Sequence, residues 1–383
     1  EGGTASGVWT LDQVADYEKQ GLWPKPILDA ELYAWGSGSQ GILGLGNTTN
    51  YSSPVQVGAL ITWSKTEMGQ YFSVATKKDG TLWTWGGDPF NYGSLGNNTT
   101  TSISSPVQVG SLTTWDKIAA DRYGGLASTT DGKLYAWGYN NYGQLGQGNT
   151  TNRSSPVQVG SLTTWADVGA GRYCSLAIKT DGTLWSWGLN NQGNLGLGDT
   201  TNRSSPVQVG SLTNWLKAAG GTYWAAAIKT DGTLWAWGNN SSGQLGDGTD
   251  TNRSSPVQVG ALTTWQDMAP GDRHMIASTT DGKLYAWGYN AFGQLGNNNT
   301  TNYSSPIQVG ALTTWSKVGA GTHFSMAVKT DGTLWAWGKN AFGQLGQGNT
   351  TNYSSPVQVG ALTTWSRATS SAASTSVLAI TKS

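Results

Sequence analysis

The stretch Lys179-Thr-Asp-Gly-Thr-Leu-Trp-Ser-Trp-Gly188 decides the fold. Asp181-Gly182 stands between two runs that alternate apolar and polar residues, the signature of a two-residue β-hairpin turn. The stretch therefore reads as strand, tight turn, strand. Its closing Trp-Gly recurs at Trp35, Trp85, Trp137, Trp187, Trp237, Trp287 and Trp337, always 50 or 52 residues apart. A period that constant marks a tandem array, and it overrides the two or three domains that 383 residues would otherwise suggest.

Outward from that hairpin, the unit opening at Trp165 holds four short strands. Strand a runs from about Trp165 to Gly169, b from Cys174 to Lys179, c from Thr183 to Trp187 and d from Ser205 to Val209. Pro206 marks d as an edge, because proline cannot donate to a ladder. The c–d connection is built from turn formers around Leu195 and Leu197, which are expected to plug it from beneath. Radially repeated four-stranded sheets make a β-propeller, and the a-strand tryptophans Trp63, Trp115, Trp165, Trp215, Trp265, Trp315 and Trp365 predict seven blades.

The two ends support a closed ring. Residues 365–383 supply only a and b, with Val377-Leu-Ala-Ile-Thr381 in the place of b. The missing c and d stand at the other end, as Glu31-Leu-Tyr-Ala-Trp-Gly36 and Ser53-Pro-Val-Gln-Val57. The expected blades are therefore about 63–110, 115–160, 165–210, 215–260, 265–310, 315–360, and 365–383 joined to 30–58, giving an all-β seven-bladed propeller over residues 29–383.

Residues 1–28 lie outside the repeat. Thr10-Leu11-Asp12-Gln13 has capping-box spacing, and Gly21 and Pro24 would stop a short helix bracketed by Trp9 and Trp23. A helix that short needs a neighbour to pack on. The chain opens at Glu1 with neither Met nor a signal-like apolar run, as expected of a chain trimmed or released from a longer precursor.

Composition excludes several functions. Lys+Arg and Asp+Glu are both 22, so no net field draws the chain to nucleic acid or an anionic membrane, and the apolar runs are too short to span a bilayer. One Cys (Cys174) and two His (His274, His323) offer neither disulfide staples nor a metal cage. Cys174 opens strand b as a small buried hydrophobe. Catalysis finds no triad and no carboxylate pair standing apart from the repeat, since the recurring Asp are explained by turns. No cofactor, metal or enzymatic activity is expected.

The run Val168-Gly-Ala-Gly-Arg-Tyr-Cys-Ser-Leu-Ala-Ile-Lys-Thr-Asp-Gly182, then Leu184-Trp-Ser-Trp-Gly188 and Gly193-Asn-Leu-Gly196, resembles the repeat of the regulator of chromosome condensation family. The resemblance covers about residues 30–383 and implies the seven-bladed propeller. The family includes a nucleotide exchange factor that also binds nucleosomes and a secreted bacterial inhibitor of β-lactamase. This sequence lacks a long wedge-like insertion and a basic tail, so neither exchange nor chromatin binding is implied. Ser6-Gly-Val-Trp-Thr-Leu11 with Gly21-Leu-Trp-Pro24 is similar to a segment of bacteriophage tail-fibre and other virion proteins. That second resemblance implies a virion or extracellular setting, with residues 1–28 joining other subunits of a larger assembly.

Differences between copies separate scaffold from candidate site. In an antiparallel blade the b–c turns and d–a links share one face of the ring, and these barely vary. The a–b turns and c–d loops share the other face, and they vary strongly. The a–b turns read Gln70-Tyr-Phe72, Asp121-Arg-Tyr123, Gly171-Arg-Tyr173, Thr222-Tyr-Trp224, Asp272-Arg-His274 and Thr322-His-Phe324. The c–d loops read Phe90-Asn-Tyr92, Asn141-Tyr142, Asn191-Gln192, Ser241-Ser242, Ala291-Phe292 and Ala341-Phe342.

The candidate binding residues are Tyr71, Phe72, Tyr92, Arg122, Tyr123, Tyr142, Arg172, Tyr173, Tyr223, Trp224, Arg273, His274, Phe292, His323, Phe324 and Phe342, a ring of aromatics with Arg and His among them. Tyr, Trp and Arg supply most of the energy of protein interfaces, and aromatic faces also stack on sugars. The expected role is a non-catalytic adhesion or receptor-binding scaffold for a host-surface glycan or protein, with a protein-binding regulator or a structural spacer as the alternatives. Arg153, Arg203 and Arg253, equivalent in three adjacent blades, read as solvated rim.

Overall fold

The computed structural model describes residues 30–59 and 62–382, and in them 28 strands form seven four-stranded antiparallel sheets. Blade 7 takes β1 (Leu32–Gly36) and β2 (Tyr51–Gln56) from the start of the chain and β27 (Trp365–Thr369) and β28 (Ser376–Thr381) from its end. Blade 1 is β3–β6 (Trp63–Met68, Phe72–Lys77, Leu82–Gly86, Ile103–Gln108), and blade 2 is β7–β10 (Trp115–Ala120, Gly124–Thr129, Leu134–Gly138, Arg153–Gln158). Blade 3 is β11–β14 (Trp165–Gly171, Cys174–Lys179, Leu184–Gly188, Arg203–Gln208), and blade 4 is β15–β18 (Trp215–Gly220, Trp224–Lys229, Leu234–Gly238, Arg253–Gln258). Blade 5 is β19–β22 (Trp265–Pro270, His274–Thr279, Leu284–Gly288, Tyr303–Gln308), and blade 6 is β23–β26 (Trp315–Ala320, Phe324–Lys329, Leu334–Gly338, Tyr353–Gln358).

Within each sheet the order is a-b-c-d, with the a strands lining the axis and d outermost. In blade 3 the d strand pairs with c only at Trp185↔Gln208, Ser186↔Val207 and Gly188↔Arg203, with an irregularity at Pro206, as an edge proline requires. The ring closes as the end-matching predicts: β1 pairs antiparallel with β28 from Leu32↔Ile380 to Gly36↔Ser376. The short helix expected before residue 28 lies outside the described residues.

One expectation is corrected. The b–c hairpin is a three-residue loop, because Lys179 N–H donates to Thr183 O at 3.0 Å and Gly182 N–H to Lys179 O at 2.9 Å. Gly182 takes the left-handed conformation, φ +77°, which closes such a loop at no Cβ penalty. Asp181 Oδ1 accepts from Thr183 N–H (2.9 Å) and Oγ1 (2.6 Å), which accounts for the repeated Asp as turn chemistry.

The core is distributed between the blades. Leu126, Leu134, Leu145 and Val159 of blade 2 pack with Trp165, Val168, Ala177 and Trp187 of blade 3, and corresponding clusters join the other neighbours. Leu195 is fully buried and Leu197 partly so, as expected of plugs. Trp187 is fully buried and reaches back to donate from Nε1 to Gln144 O of blade 2 at 2.8 Å. The Trp-Gly tryptophans at 35, 85, 137, 237, 287 and 337 make the same backward bond. A Cβ on Gly146 would stand 2.8 Å from the Trp187 indole nitrogen, so the Gly-Gln-Leu-Gly loop is a socket shaped by that ring.

Candidate functional site

Backbone bonds place the two faces as read from the sequence. Trp215 N–H donates to Gly182 O at 3.0 Å, putting a d–a link beside a b–c turn. Leu189 N–H donates to Tyr173 O at 3.0 Å, putting the c–d loop beside the a–b turn on the opposite face. The variable turns are also chained blade to blade, Gln70 N–H to Arg122 O and Arg172 N–H to Gly221 O, each 3.1 Å. Loop differences therefore sit on a rigid rim.

The structural register corrects the site reading. Arg122-Tyr123-Gly124 and Arg172-Tyr173-Cys174 align with Gln70-Tyr71-Phe72, one residue on from the triplets compared in the sequence. The third position opens strand b and points inward, so Phe72, Trp224, His274 and Phe324 are fully buried and cannot touch a ligand. Each ring occupies space left by the glycine that follows strand a: a Cβ on Gly69, Gly221, Gly271 or Gly321 would fall 1.9–2.3 Å from it. Tyr123 is also buried, within the stack described next.

The aromatics divide into two arcs. In the larger, Tyr71, Phe90, Tyr92, Tyr123, Tyr139, Tyr142 and Tyr173 form an unbroken set of ring contacts. Tyr71 stacks on Tyr123 at 6.1 Å, Tyr92 meets Tyr139 at 4.5 Å and Tyr142 meets Tyr173 at 5.3 Å. Arg122 lies 4.8 Å from the Tyr123 ring and 5.7 Å from Tyr173, donating to the Tyr173 hydroxyl at 2.8 Å and to Gln70 Oε1. Arg172 lies 5.5 Å from Tyr173 and 5.3 Å from Tyr223, which extends the arc into blade 4. Tyr173 and Tyr223 hold φ of +82° and +62°, a left-handed backbone that non-glycine residues adopt rarely and at a cost. The smaller arc stacks His323 on Phe292 at 5.1 Å, with Tyr289 5.6 Å from His323, Lys339 over Phe292 and Arg273 exposed nearby. Phe90 (48% exposed) and Phe342 (41%) project furthest into solvent.

Tyr139, Tyr289 and Lys339 escaped the sequence reading, although the signal was present. The residue following each Trp-Gly varies as Ser37, Gly87, Tyr139, Leu189, Asn239, Tyr289 and Lys339.

Burial sets the protonation states. The hydroxyls of Tyr123 and Tyr139 are pushed up to about 12, so they remain donors. Asp121, enclosed beneath Arg122, is raised to about 7 despite bonds from the Tyr123 and Gly124 backbone. His274 is lowered to about 3 by burial and then by His323. Its Nε2 meets Ser325 Oγ at 3.0 Å, but that hydroxyl donates to Gln294 O at 2.8 Å, as Ser73 and Ser175 do to Ile42 and Gln144. The Ser–His contact is thus part of the repeat scaffold. Cys174 is buried, its thiol pushed up to about 11. Arg203 and Arg253 pair within their own c–d loops, to Asp199 at 2.6 Å and Asp247 at 2.8 Å. Among the described residues no group of three His, Cys, Asp or Glu is placed to hold a metal ion, and no helix is long and apolar enough to cross a membrane.

The ring encloses an axial cavity of about 370 Å³ lined by the a strands, with Arg122 and Arg172 at its variable-face mouth. Nearer the constant face Lys65, Lys117, Asp167, Lys217, Asp267, Lys317 and Arg367 form a belt two residues after each a-strand tryptophan. Ion pairs made by its members bridge adjacent blades: Lys65–Asp116 at 2.5 Å, Lys217–Asp267, and Arg367–Glu67 at 3.7 Å between blades 7 and 1.

Comparison with known proteins agrees with this architecture. The sequence profile of the regulator of chromosome condensation (RCC1) repeat matches residues 29–76, 131–178, 181–228, 231–278, 281–328 and 331–378. Over 118 residues the chain is 36% identical to the human E3 ubiquitin-protein ligase HERC2 and 32% identical to the ultraviolet-B receptor UVR8 of Arabidopsis thaliana. Each match takes in 29% of this chain but only 2% of HERC2 and 26% of UVR8. Among solved structures, Prp20p of Saccharomyces cerevisiae superposes with a TM-score of 0.81 at 20% identity, covering 93% of this chain and 92% of that one. Prp20p is described there with binding properties to Gsp1p and histones. Human WBSCR16 superposes with a TM-score of 0.81 at 22% identity, over 92% of this chain and 99% of its own.

Proposed function

The chain belongs to the regulator of chromosome condensation (RCC1) repeat family, and on that premise we propose that it is a non-catalytic scaffold that binds a protein partner through the tyrosine-and-arginine arc of blades 1–4. The observation that carries this reading is the unbroken set of rings from Tyr71 to Tyr173, fixed on one rim and flanked by two guanidiniums. Large, rigid rings with few rotatable bonds give contact area at low entropic cost. The binding of Gsp1p and histones described for Prp20p supports a protein partner over a sugar. A virion or extracellular setting, a host-glycan ligand and assembly through residues 1–28 rest on Ser6–Pro24 alone, outside the described residues, and take second place.

The test offers immobilised protein to a lysate of its source and, in parallel, a glycan array, beside Phe90→Ala/Tyr92→Ala/Tyr142→Ala and a constant-face control, Leu112→Ala/Leu162→Ala. The expected outcome is one protein retained in stoichiometric amount by the parent and the control, and reduced about tenfold or more by the triple variant. Equal capture by the triple variant, or retention of glycans with no protein, overturns the reading.

A further inference from the structure

Arg172 is a cation at the variable face that finds no acceptor among the described residues. Its guanidinium makes no hydrogen bond or ion pair with the described residues, and its Nε is buried with no partner. A buried, unpaired N–H of a charged group is costly, and such groups normally find an acceptor. Beside it, Arg122 spends only Nε and one Nη1 bond, on Gln70 and the Tyr173 hydroxyl. Both guanidiniums lie within 6 Å of the Tyr173 ring, and both line the variable-face mouth of the axial cavity. Asp121, the carboxylate beneath Arg122, is already bonded to backbone N–H groups of its own turn. Three cations of the opposite mouth differ: Lys65, Lys217 and Arg367 are answered by Asp116, Asp267 and Glu67.

We propose that the mouth where Arg122 and Arg172 flank Tyr173 receives carboxylates of an acidic segment of a protein partner, whose remaining side chains lie on the tyrosine arc. This rests on the protein-binding reading above and names the chemistry of the partner. A guanidinium presents N–H groups in a planar fork that matches a carboxylate, and a stacked guanidinium loses little freedom when it binds. Phosphate suits the site less well: the surroundings are aromatic rings and hydroxyls, and among the described residues Arg122 and Arg172 are the cations at this mouth, too few to carry a double charge. The strained turns at Tyr173 and Tyr223 carry this same pair of rings around Arg172, as expected where backbone strain is kept for a binding geometry.

The test titrates the intact chain with an acetylated octaglutamate peptide, its octaglutamine analogue and inorganic phosphate, by calorimetry or tyrosine fluorescence. Octaglutamate is expected to bind, to weaken several-fold as salt rises from about 0.05 to 0.5 M, and to exceed octaglutamine about tenfold or more. Arg172→Gln should remove about tenfold of that affinity, Arg172→Lys should recover only part of it, and Arg153→Gln on the solvated rim should change nothing. Each variant is first matched to the parent in thermal melting. Equal binding of octaglutamate and octaglutamine, preference for phosphate, or indifference to Arg172→Gln overturns the proposal. Repeating the lysate capture with Arg172→Gln separates the two readings. A partner retained undiminished by that variant removes the acidic segment and leaves protein binding standing; octaglutamate bound with no protein captured does the reverse.

Discussion

A single carbonyl shows how the repeat is held together. Gln144 O accepts from Trp187 Nε1 and from Ser175 Oγ, both at 2.8 Å and both from the following blade. The blade interface is therefore knit at its centre by two donors converging on one buried oxygen. Trp187→Phe keeps most of the ring but strips the N–H, and Ser175→Ala strips the hydroxyl. Each single change leaves the carbonyl one partner, whereas the double change leaves it none. We expect losses of about 2 and about 1 kcal/mol for the singles, and a double variant worse than their sum by about 1 kcal/mol. Urea denaturation of the four proteins measures the cycle, and strict additivity would show that the two donors do not share the oxygen. The recurring Trp-Gly pairs were conspicuous in the sequence. Their reason was not, because the bond joins residues 43 apart in neighbouring blades.

At the scale of the strand, the start of b explains where the sequence reading went astray. Variation between copies suggested exposure at this position, yet it holds Phe72, Gly124, Cys174, Trp224, His274 and Phe324, all buried. The change is compensated locally. A glycine follows strand a where b begins with a ring, whereas in blade 2 Gly124 faces Asp121, whose carboxylate lies 3.4 Å from where a Gly124 Cβ would stand. Paired substitution inside a core varies as freely as a surface does, so variation alone could not tell Phe72 from Tyr71. Period, blade count and edge proline were legible because each is a property of one strand or turn read by itself.

His274 is the titratable member of that buried set, and the sign of its effect follows from its folded value of about 3. Below the unfolded value near 6.5 the unfolded chain takes up a proton that the folded chain refuses. Stability therefore falls as pH drops, by up to about 1.4 kcal/mol per unit until the folded value is reached. His274→Phe, the residue found at the same position in blades 1 and 6, removes this dependence. Between pH 7 and pH 5 the variant should lose about 2 kcal/mol less than the parent in urea midpoint experiments. Part of the parent's slope should survive in the variant, because burial also lowers the neighbouring His323. Parallel losses in the two proteins would mean that His274 is not held neutral.

For the whole molecule the decisive element is β28, the central partner in the closing blade. Its residues alternate between the two neighbouring interfaces: Val377 and Ala379 pack with Met326, Val328 and Leu334 of blade 6, while Leu378 and Ile380 pack with Trp63, Ala75 and Trp85 of blade 1. The same strand pairs with β1 on one side and β27 on the other. Removing residues 376–383 would thus open two hydrophobic seams and expose two strand edges together. Burial of a large apolar side chain stabilises by roughly 1.5–3 kcal/mol, so losing Val377, Leu378 and Ile380 costs about 5–9 kcal/mol, as much as the whole stability of many domains. The truncated chain is expected to lose its cooperative melt and to elute as oligomers, since bare edges of β1 and β27 invite pairing with another chain. A synthetic peptide of residues 376–383 supplied in excess should restore the monomer, because the register with β1 and β27 is fixed by the alternation of its side chains. A truncated protein that stays monomeric and melts like the parent would mean that the ring does not depend on its closing strand.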